Sequence, residues 1–105
     1  MEDGKLIYED FCAQCHLESG KGVKGIYPPL AKSDFLIDIN QTISSIKYGL
    51  KGPITVNGEN YNSIMVSQGL DDEEISDVVN YILNSWGNST DKLITEEIVA
   101  LTERK

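Results

Sequence analysis

Apolar residues recur at helical spacing in four stretches of the chain and alternate in one. Ile7, Tyr8, Phe11, Cys12 and Cys15 form one stripe and predict a helix over residues 3–15. Ile39, Ile43 and Ile46 share a face in residues 38–48, with Asp38 placed to cap the start and Gly49 and Gly52-Pro53 placed to end the helix. Asp71 followed by Glu74 is a capping-box pattern. The helix it opens carries Ile75, Val79, Ile82 and Trp86 on one side, and Gly87 stops it. Thr95 is placed to cap a last helix running to about Glu103, with Ile94, Ile98 and Leu101 as its apolar face. The alternating stretch, Ile54-Thr55-Val56-Asn57-Gly58-Glu59-Asn60-Tyr61, predicts a tight hairpin, because Asn-Gly suits a turn with positive φ at both central positions.

Long connections separate these elements. Residues 17–34 read as a loop broken by Gly20, Gly22, Gly25, Pro28 and Pro29, and a second loop runs through Met65 to Gly69. The outcome is an all-α fold of three to four helices with a small β-hairpin. Loops of this length in a small domain usually carry a function or have something to wrap. A chain of 105 residues is one domain's worth, and it buries roughly 60–65% of its unfolded surface. A large buried cofactor would add the apolar mass that so thin a core lacks.

Composition narrows the function. With 40% hydrophobic and 25% charged residues the chain is neither disordered nor fibrous. A formal net charge of −8 argues against nucleic acid or an anionic membrane as partner. The charge is uneven, and a surface holding Lys21, Lys24, Lys47 and Lys51 is locally neutral or positive. No apolar run approaches the ~18 residues of a membrane span. The start, Met1-Glu2-Asp3-Gly4-Lys5, is polar and shows no export signal, so the chain is expected to be either cytosolic or a mature or trimmed form with an added methionine.

Both cysteines and the single histidine fall in Cys12-Ala13-Gln14-Cys15-His16. C-x-x-C-H is the attachment signature of c-type haem. Cysteines at i and i+3 near a helix end lie on one face, so their sulfurs reach two neighbouring pyrroles while His16 offers its imidazole to iron. Three other readings compete. A redox C-x-x-C prefers a preceding strand within a βαβ unit, and here a helix precedes it. A zinc site needs four ligands, and the chain has no further Cys or His. A disulfide at this spacing would constrain almost no chain.

On these residues the chain resembles the class I cytochrome c family over residues 3–87. Gly4, Tyr8 and Cys12 stand at four-residue intervals in the first helix, where the family crosses its first and last core helices and glycine lets the backbones touch. Val78 and Tyr81 sit where the partner helix would meet it. A closer likeness is to the haem c domain fused to some copper nitrite reductases and to related small mono-haem cytochromes. It is carried by the stretches Tyr27–Leu36, Ile54–Gly58, Tyr61–Met65 and Tyr81–Asn88.

The resemblance implies a class I cytochrome c fold wrapped around one covalently bound haem c. Cys12, Cys15 and His16 hold the haem. The Pro28 carbonyl accepts a hydrogen bond from the His16 ring, which fixes the ring's orientation, and Leu30 packs on the haem face. Met65 lies where the family places the sixth iron ligand, and a thioether there favours ferrous iron. The other methionine, Met1, is at the wrong end of the chain. The family usually follows this methionine with proline; here Val66 follows, and the ligand loop is expected to be more mobile for it.

The expected function is an electron carrier, with Ala13, Val23 and Val66 rimming the haem edge that meets redox partners. It is expected to be a monomer and not itself an enzyme. The alternative is a haem domain of a larger redox enzyme, such as a copper nitrite reductase or a dehydrogenase. A peroxidase or gas sensor would need polar groups at an open distal site, and the chain offers one histidine and one arginine, Arg104 in the tail. Residues 1–87 are expected to form the cytochrome domain and 88–105 a C-terminal extension with a short helix. The family's haem is attached outside the cytoplasmic membrane, so a periplasmic or extracytoplasmic location is expected, with the export signal already removed.

Weaker signals have plainer readings. Gly20-Lys21-Gly22-Val23-Lys24-Gly25 lacks phosphate-loop spacing and reads as a flexible haem-edge loop. Asp71-Asp72-Glu73-Glu74 complements a helix dipole. Tyr61 and Trp86 either reach haem propionates or pack in the core. Protein matured in a host that attaches haem should carry one covalent haem by intact mass and give a low-spin reduced-minus-oxidised spectrum. Bare polypeptide mass would refute the haem assignment.

Overall fold

The computed structural model describes residues 2–62 and 64–103; Met1, Ser63, Arg104 and Lys105 lie outside them. Chain order is α1 (Glu2–Phe11), a single turn α2 (Ala13–His16), a 3-10 turn (Asp34–Ile37), α3 (Ile39–Tyr48), a hairpin of β1 (Ile54–Val56) and β2 (Glu59–Tyr61), α4 (Asp72–Leu83) and α5 (Glu96–Leu101).

The helix starts are made by the expected caps. Asp38 Oδ1 accepts from Gln41 N at 3.0 Å. Asp71 and Glu74 bond reciprocally at 2.8 and 3.0 Å. Thr95 Oγ1 accepts from Ile98 N at 3.2 Å. Each such cap contributes about 1 kcal/mol by satisfying an orphan helix N–H. The hairpin pairs Ile54 with Tyr61, Thr55 with Asn60 and Val56 with Glu59. Its turn puts Asn57 at φ 52° and Gly58 at φ 81°.

Four details differ from the sequence reading. The helix expected over 3–15 is interrupted at Cys12, which takes φ −113°, although the bonds Cys12 N to Tyr8 O (2.8 Å) and His16 N to Cys12 O (3.0 Å) keep the path helical. α4 stops at Leu83 rather than running to Trp86. Trp86 lies in the following turn at φ 54°, because its ring leaves the helix face to stack with Tyr8 (centroids 4.9 Å apart) and Tyr81 (5.7 Å). Asp34–Ile37, read as loop, forms a 3-10 turn with Ser33 Oγ accepting from Phe35 N; four residues are too few to show a period. In α5 the buried residues are Val99 and the preceding Ile94, whereas Leu101 is 74% exposed.

The core is the crossing of α1 and α4, flanked by α3 and α5. Tyr8, Cys12, Ile43, Ile46, Ile75, Val78, Val79, Ile82, Ile94 and Val99 are all buried in one cluster. At the crossing, a Cβ on Gly4 would lie 2.2 Å from the Asp77 carbonyl oxygen and 2.9 Å from Tyr81 Cβ. Only glycine lets these backbones meet. The C-terminal segment is clasped to the same body: Asn80 bonds both N and O of Ile94 (2.9 and 2.8 Å), and Lys47 Nζ donates to the Val99 carbonyl at 2.7 Å.

Gly4→Ala should destabilise the protein by about 1–3 kcal/mol, the cost of forcing an extra methyl into a packed contact. The denaturant midpoint of the haem-loaded protein measures it.

Candidate cofactor site

Two adjoining cavities open beside the end of α1, of about 60 and 260 Å³. Cys12, His16, Pro28, Leu50, Ile54 and Met65 line both. The inner one is walled by Leu30, Phe35, Leu36, Ile46, Val56 and Ile82. Thr42 and Ser45 also reach it, yet their hydroxyls turn back onto the Asp38 and Gln41 carbonyls of their own helix at 3.0 and 2.7 Å. Such back-bonding leaves their apolar sides to the cavity. Phe11, Cys15, Tyr27, Tyr61, Ile64 and Val66 line the outer one together with Gln14 and Gln68, and among the described residues no Asp, Glu, Lys or Arg lines either.

The Cys-x-x-Cys-His turn reaches this space because α2 continues the path of α1 for one turn and then stops. Leu17 ends it at φ 67°, ψ 159°, a region costly for a non-glycine residue, on the order of 1–3 kcal/mol. Tyr8 Oη, donating to the Leu17 carbonyl at 2.6 Å, holds the chain there. Burial raises the Tyr8 phenol well above its ordinary range, with Cys12 and Tyr81 adding to the effect, so it stays a donor. Burial, with Cys15 beside it, also pushes the Cys12 thiol up to about 11. Cys12 and Cys15 form no disulfide with each other.

His16 Nδ1 bonds the Pro28 carbonyl at 2.8 Å, the contact expected from the sequence resemblance. That bond assigns the proton to Nδ1 and leaves Nε2 as an acceptor or metal ligand. Burial lowers the imidazole's pKa, while the Pro28 bond opposes the shift. Burial dominates, so the ring favours the neutral form that a metal requires.

The carbonyl is set in place by the preceding loop. Gly22 N donates to the His16 carbonyl at 2.9 Å, and Val23 and Tyr27 bridge at 2.8 Å. A Cβ on Gly22 would lie 2.7 Å from the Pro28 oxygen, so glycine is required for this approach. The segment read as a flexible loop is therefore laced to the motif it follows.

Leu30 lines the inner cavity, held from a distance in sequence that no local pattern reveals. Asn88 Nδ2 donates to the Leu30 carbonyl at 2.9 Å, and Asn88 Oδ1 accepts from Lys32 N at 2.7 Å. Asp34 and Asn57 exchange backbone-to-side-chain bonds of 2.9 Å that pin the hairpin to the 3-10 turn. Trp86 spends its indole N–H on the Glu18 carbonyl at 2.7 Å, which favours the packing role over a propionate contact. Tyr61 is buried at the outer cavity. Of the three expected rim residues, Val66 lines the outer cavity, and Ala13 and Val23 line neither. Phe11, Leu50, Ile54 and Ile64 were not legible as site residues. Phe11 does belong to the first helix stripe, but it is 45% exposed and stands at the cavity mouth rather than in the core.

The donor set fits a haem c. Two thiols lie three residues apart, one imidazole is oriented by a carbonyl, one thioether shares both cavities, and the rest of the inner wall is mostly apolar, whereas Gln14 and Gln68 join the outer one. Among the described residues no three His, Cys, Asp or Glu side chains cluster to hold a metal by themselves. Loss of the Tyr8 hydroxyl in Tyr8→Phe should leave the haem spectrum unchanged and cost about 1–2 kcal/mol in a urea titration, because the Leu17 carbonyl loses its partner.

The Cytochrome c family model matches residues 1–86. Cytochrome c-552 of Thermus thermophilus is 41% identical over 93 residues, covering 83% of this chain and 70% of that protein. The cytochrome subunit of fructose dehydrogenase from Gluconobacter japonicus is 34% identical over 97 residues, 83% of this chain but 19% of the subunit. The cbb3-type cytochrome c oxidase subunit CcoP of Rhodobacter capsulatus is 30% identical over 94 residues, 85% of this chain and 31% of the subunit.

Proposed function

The chain belongs to the cytochrome c family, whose haem c is covalently bound, and from that premise we propose how its own residues hold the haem and use it. Cys12 and Cys15 form the two thioethers, His16 Nε2 and Met65 Sγ ligate the iron, Pro28 orients His16, and Leu30 packs on the ring. The observation that carries this reading is that all six residues line two adjoining cavities, Cys12, His16, Pro28 and Met65 both of them, with His16 Nδ1 already committed to Pro28.

The bound haem supplies the redox chemistry, taking up and giving up one electron at a time. The chain's residues determine how readily. The Pro28 bond makes His16 a more basic ligand. The Met65 thioether favours the ferrous form over harder donors. Leu36, Ile46, Val56 and Ile82 keep water from the inner cavity. Phe11, Ile64 and Val66 give the mouth an uncharged surface, suited to brief contact with a redox partner. With His16 and Met65 both available to hold the iron, the chain would work as an electron carrier and not as an enzyme in itself.

Residues 1–87 act as the carrier unit and 88–105 as an extension, whose described residues Ile94 and Val99 are buried in the same core. The chain is a monomer in a periplasmic or otherwise extracytoplasmic compartment, where covalent haem attachment takes place. No described helix is long and apolar enough to cross a membrane. A second form of the same reading has one specific support. Several relatives are cytochrome subunits of dehydrogenases, of which the matched segment is about one fifth. The unit is then a relay inside a larger redox assembly that feeds or drains a dehydrogenase or nitrite reductase.

Two measurements test the reading. The ferrous protein should bind carbon monoxide slowly and weakly; fast, tight binding would make it a sensor or peroxidase instead. Met65→Ala should bind carbon monoxide readily, lose the ferric methionine–iron charge-transfer band, and lower the reduction potential by at least about 59 mV, a tenfold change for a one-electron couple.

A further inference from the structure

Met65 belongs to no helix and to neither strand of the hairpin, and its neighbours Ile64 and Val66 are 73% and 68% exposed. The Met65 side chain packs against the core cluster, but its exposed neighbours leave the backbone of the segment to be held from elsewhere. The holder is the C-terminal end of α3. Leu50 N donates to the Met65 carbonyl at 2.7 Å and Met65 N to the Leu50 carbonyl at 2.8 Å, an isolated antiparallel bridge. Ser67 Oγ donates to the Lys47 carbonyl at 2.9 Å, and Gln68 N reaches the Ile46 carbonyl at 3.4 Å. The last carbonyls of a helix have no partner within it. Here the methionine segment supplies partners for two of them.

Gly49 stands at the junction. It takes φ 87° and ψ 173°, and a Cβ there would lie 2.9 Å from the Met65 carbonyl oxygen and 3.0 Å from Ser67 N. Both are backbone atoms, so relief requires the methionine segment itself to move. Gly52, three residues on, has a similar φ of 94° but nothing within 4 Å of its Cβ position. The two glycines share the same conformational demand and differ in whether they touch the Met65 segment.

We propose that Gly49 and Ser67 are positioning residues for the Met65 thioether. The end of α3 is a seat onto which residues 65–68 dock, and this docking determines how readily another ligand displaces the sulfur. The proposal rests on Met65 being an iron ligand. Displacement lifts the segment off its seat, so whatever weakens the seat raises the apparent affinity of a competing ligand by the same factor.

The test is an imidazole titration of the ferric haem-loaded protein, followed by the methionine–iron charge-transfer band, with global unfolding measured in parallel. Gly49→Ala should bind imidazole about tenfold or more tightly. Ser67→Ala should bind it about two- to fivefold more tightly, the worth of one exposed hydrogen bond, and Ser67→Thr should restore the original affinity. Gly52→Ala should unfold more easily yet bind imidazole as the parent does. The proposal is overturned if Gly49→Ala and Ser67→Ala lose global stability while their imidazole affinity stays within about twofold of the parent's. Should Gly49→Ala not fold, the Ser67 pair decides alone. If the parent shows no charge-transfer band and Met65→Ala binds imidazole no more tightly than it does, the ligand assignment itself fails and the seat falls with it.

Discussion

A single hydrogen bond of 2.8 Å, from His16 Nδ1 to the Pro28 carbonyl, determines which way the chain's one imidazole faces. Much of the surrounding structure exists to hold that bond in place. The α1–α4 crossing at Gly4 anchors the helix that delivers the histidine. Tyr8 ties down the sharp turn at Leu17 that ends this helix. The loop beyond it doubles back through Gly22 and the Val23–Tyr27 bridge until Pro28 is under the ring. A half-buried imidazole without this partner would leave a ring N–H poorly satisfied, costing on the order of 1 kcal/mol, and its orientation would be free.

The rest of the cavity wall is assembled from parts that touch one another only in three dimensions. α3 supplies Thr42, Ser45 and Ile46, the hairpin supplies Ile54 and Val56, and α4 supplies Ile82. Side-chain clasps join these parts: Asn57 with Asp34 and Asn88 with the Leu30 segment. α3 holds the chain at two further places. Its last turn accepts the Met65 segment through the Lys47 carbonyl, and the Lys47 ammonium reaches across to the carbonyls of α5. The ion pair of Lys47 with Asp72 at 3.7 Å is partly exposed and contributes little next to those bonds.

An apolar wall around a redox centre has two consequences. It disfavours the extra charge of the oxidised centre relative to a wetter site, and it limits how much solvent must reorganise when an electron moves. An uncharged mouth lets a partner approach without desolvating ions. Five of the chain's seventeen acids stand in the first turns of α4 and α5, where they complement helix dipoles.

The sequence by itself determined the covalent chemistry and the local elements. A five-residue motif names its own cofactor, because attachment needs two thiols and an imidazole at fixed spacing. Caps at Asp38, Asp71 and Thr95 and the Asn57-Gly58 turn are local physics and are legible as such. Only the tertiary structure decided where α4 gives way to the Trp86 turn, that Val99 and not Leu101 is buried, and that Leu50 and Gly49 face Met65. It alone showed that Asn88, beyond the expected domain boundary, supports Leu30. Those outcomes come from contacts between residues far apart in the chain, 58 positions for Asn88 and Leu30 and 68 for Trp86 and Glu18, and such contacts leave no periodicity in a single chain to be read.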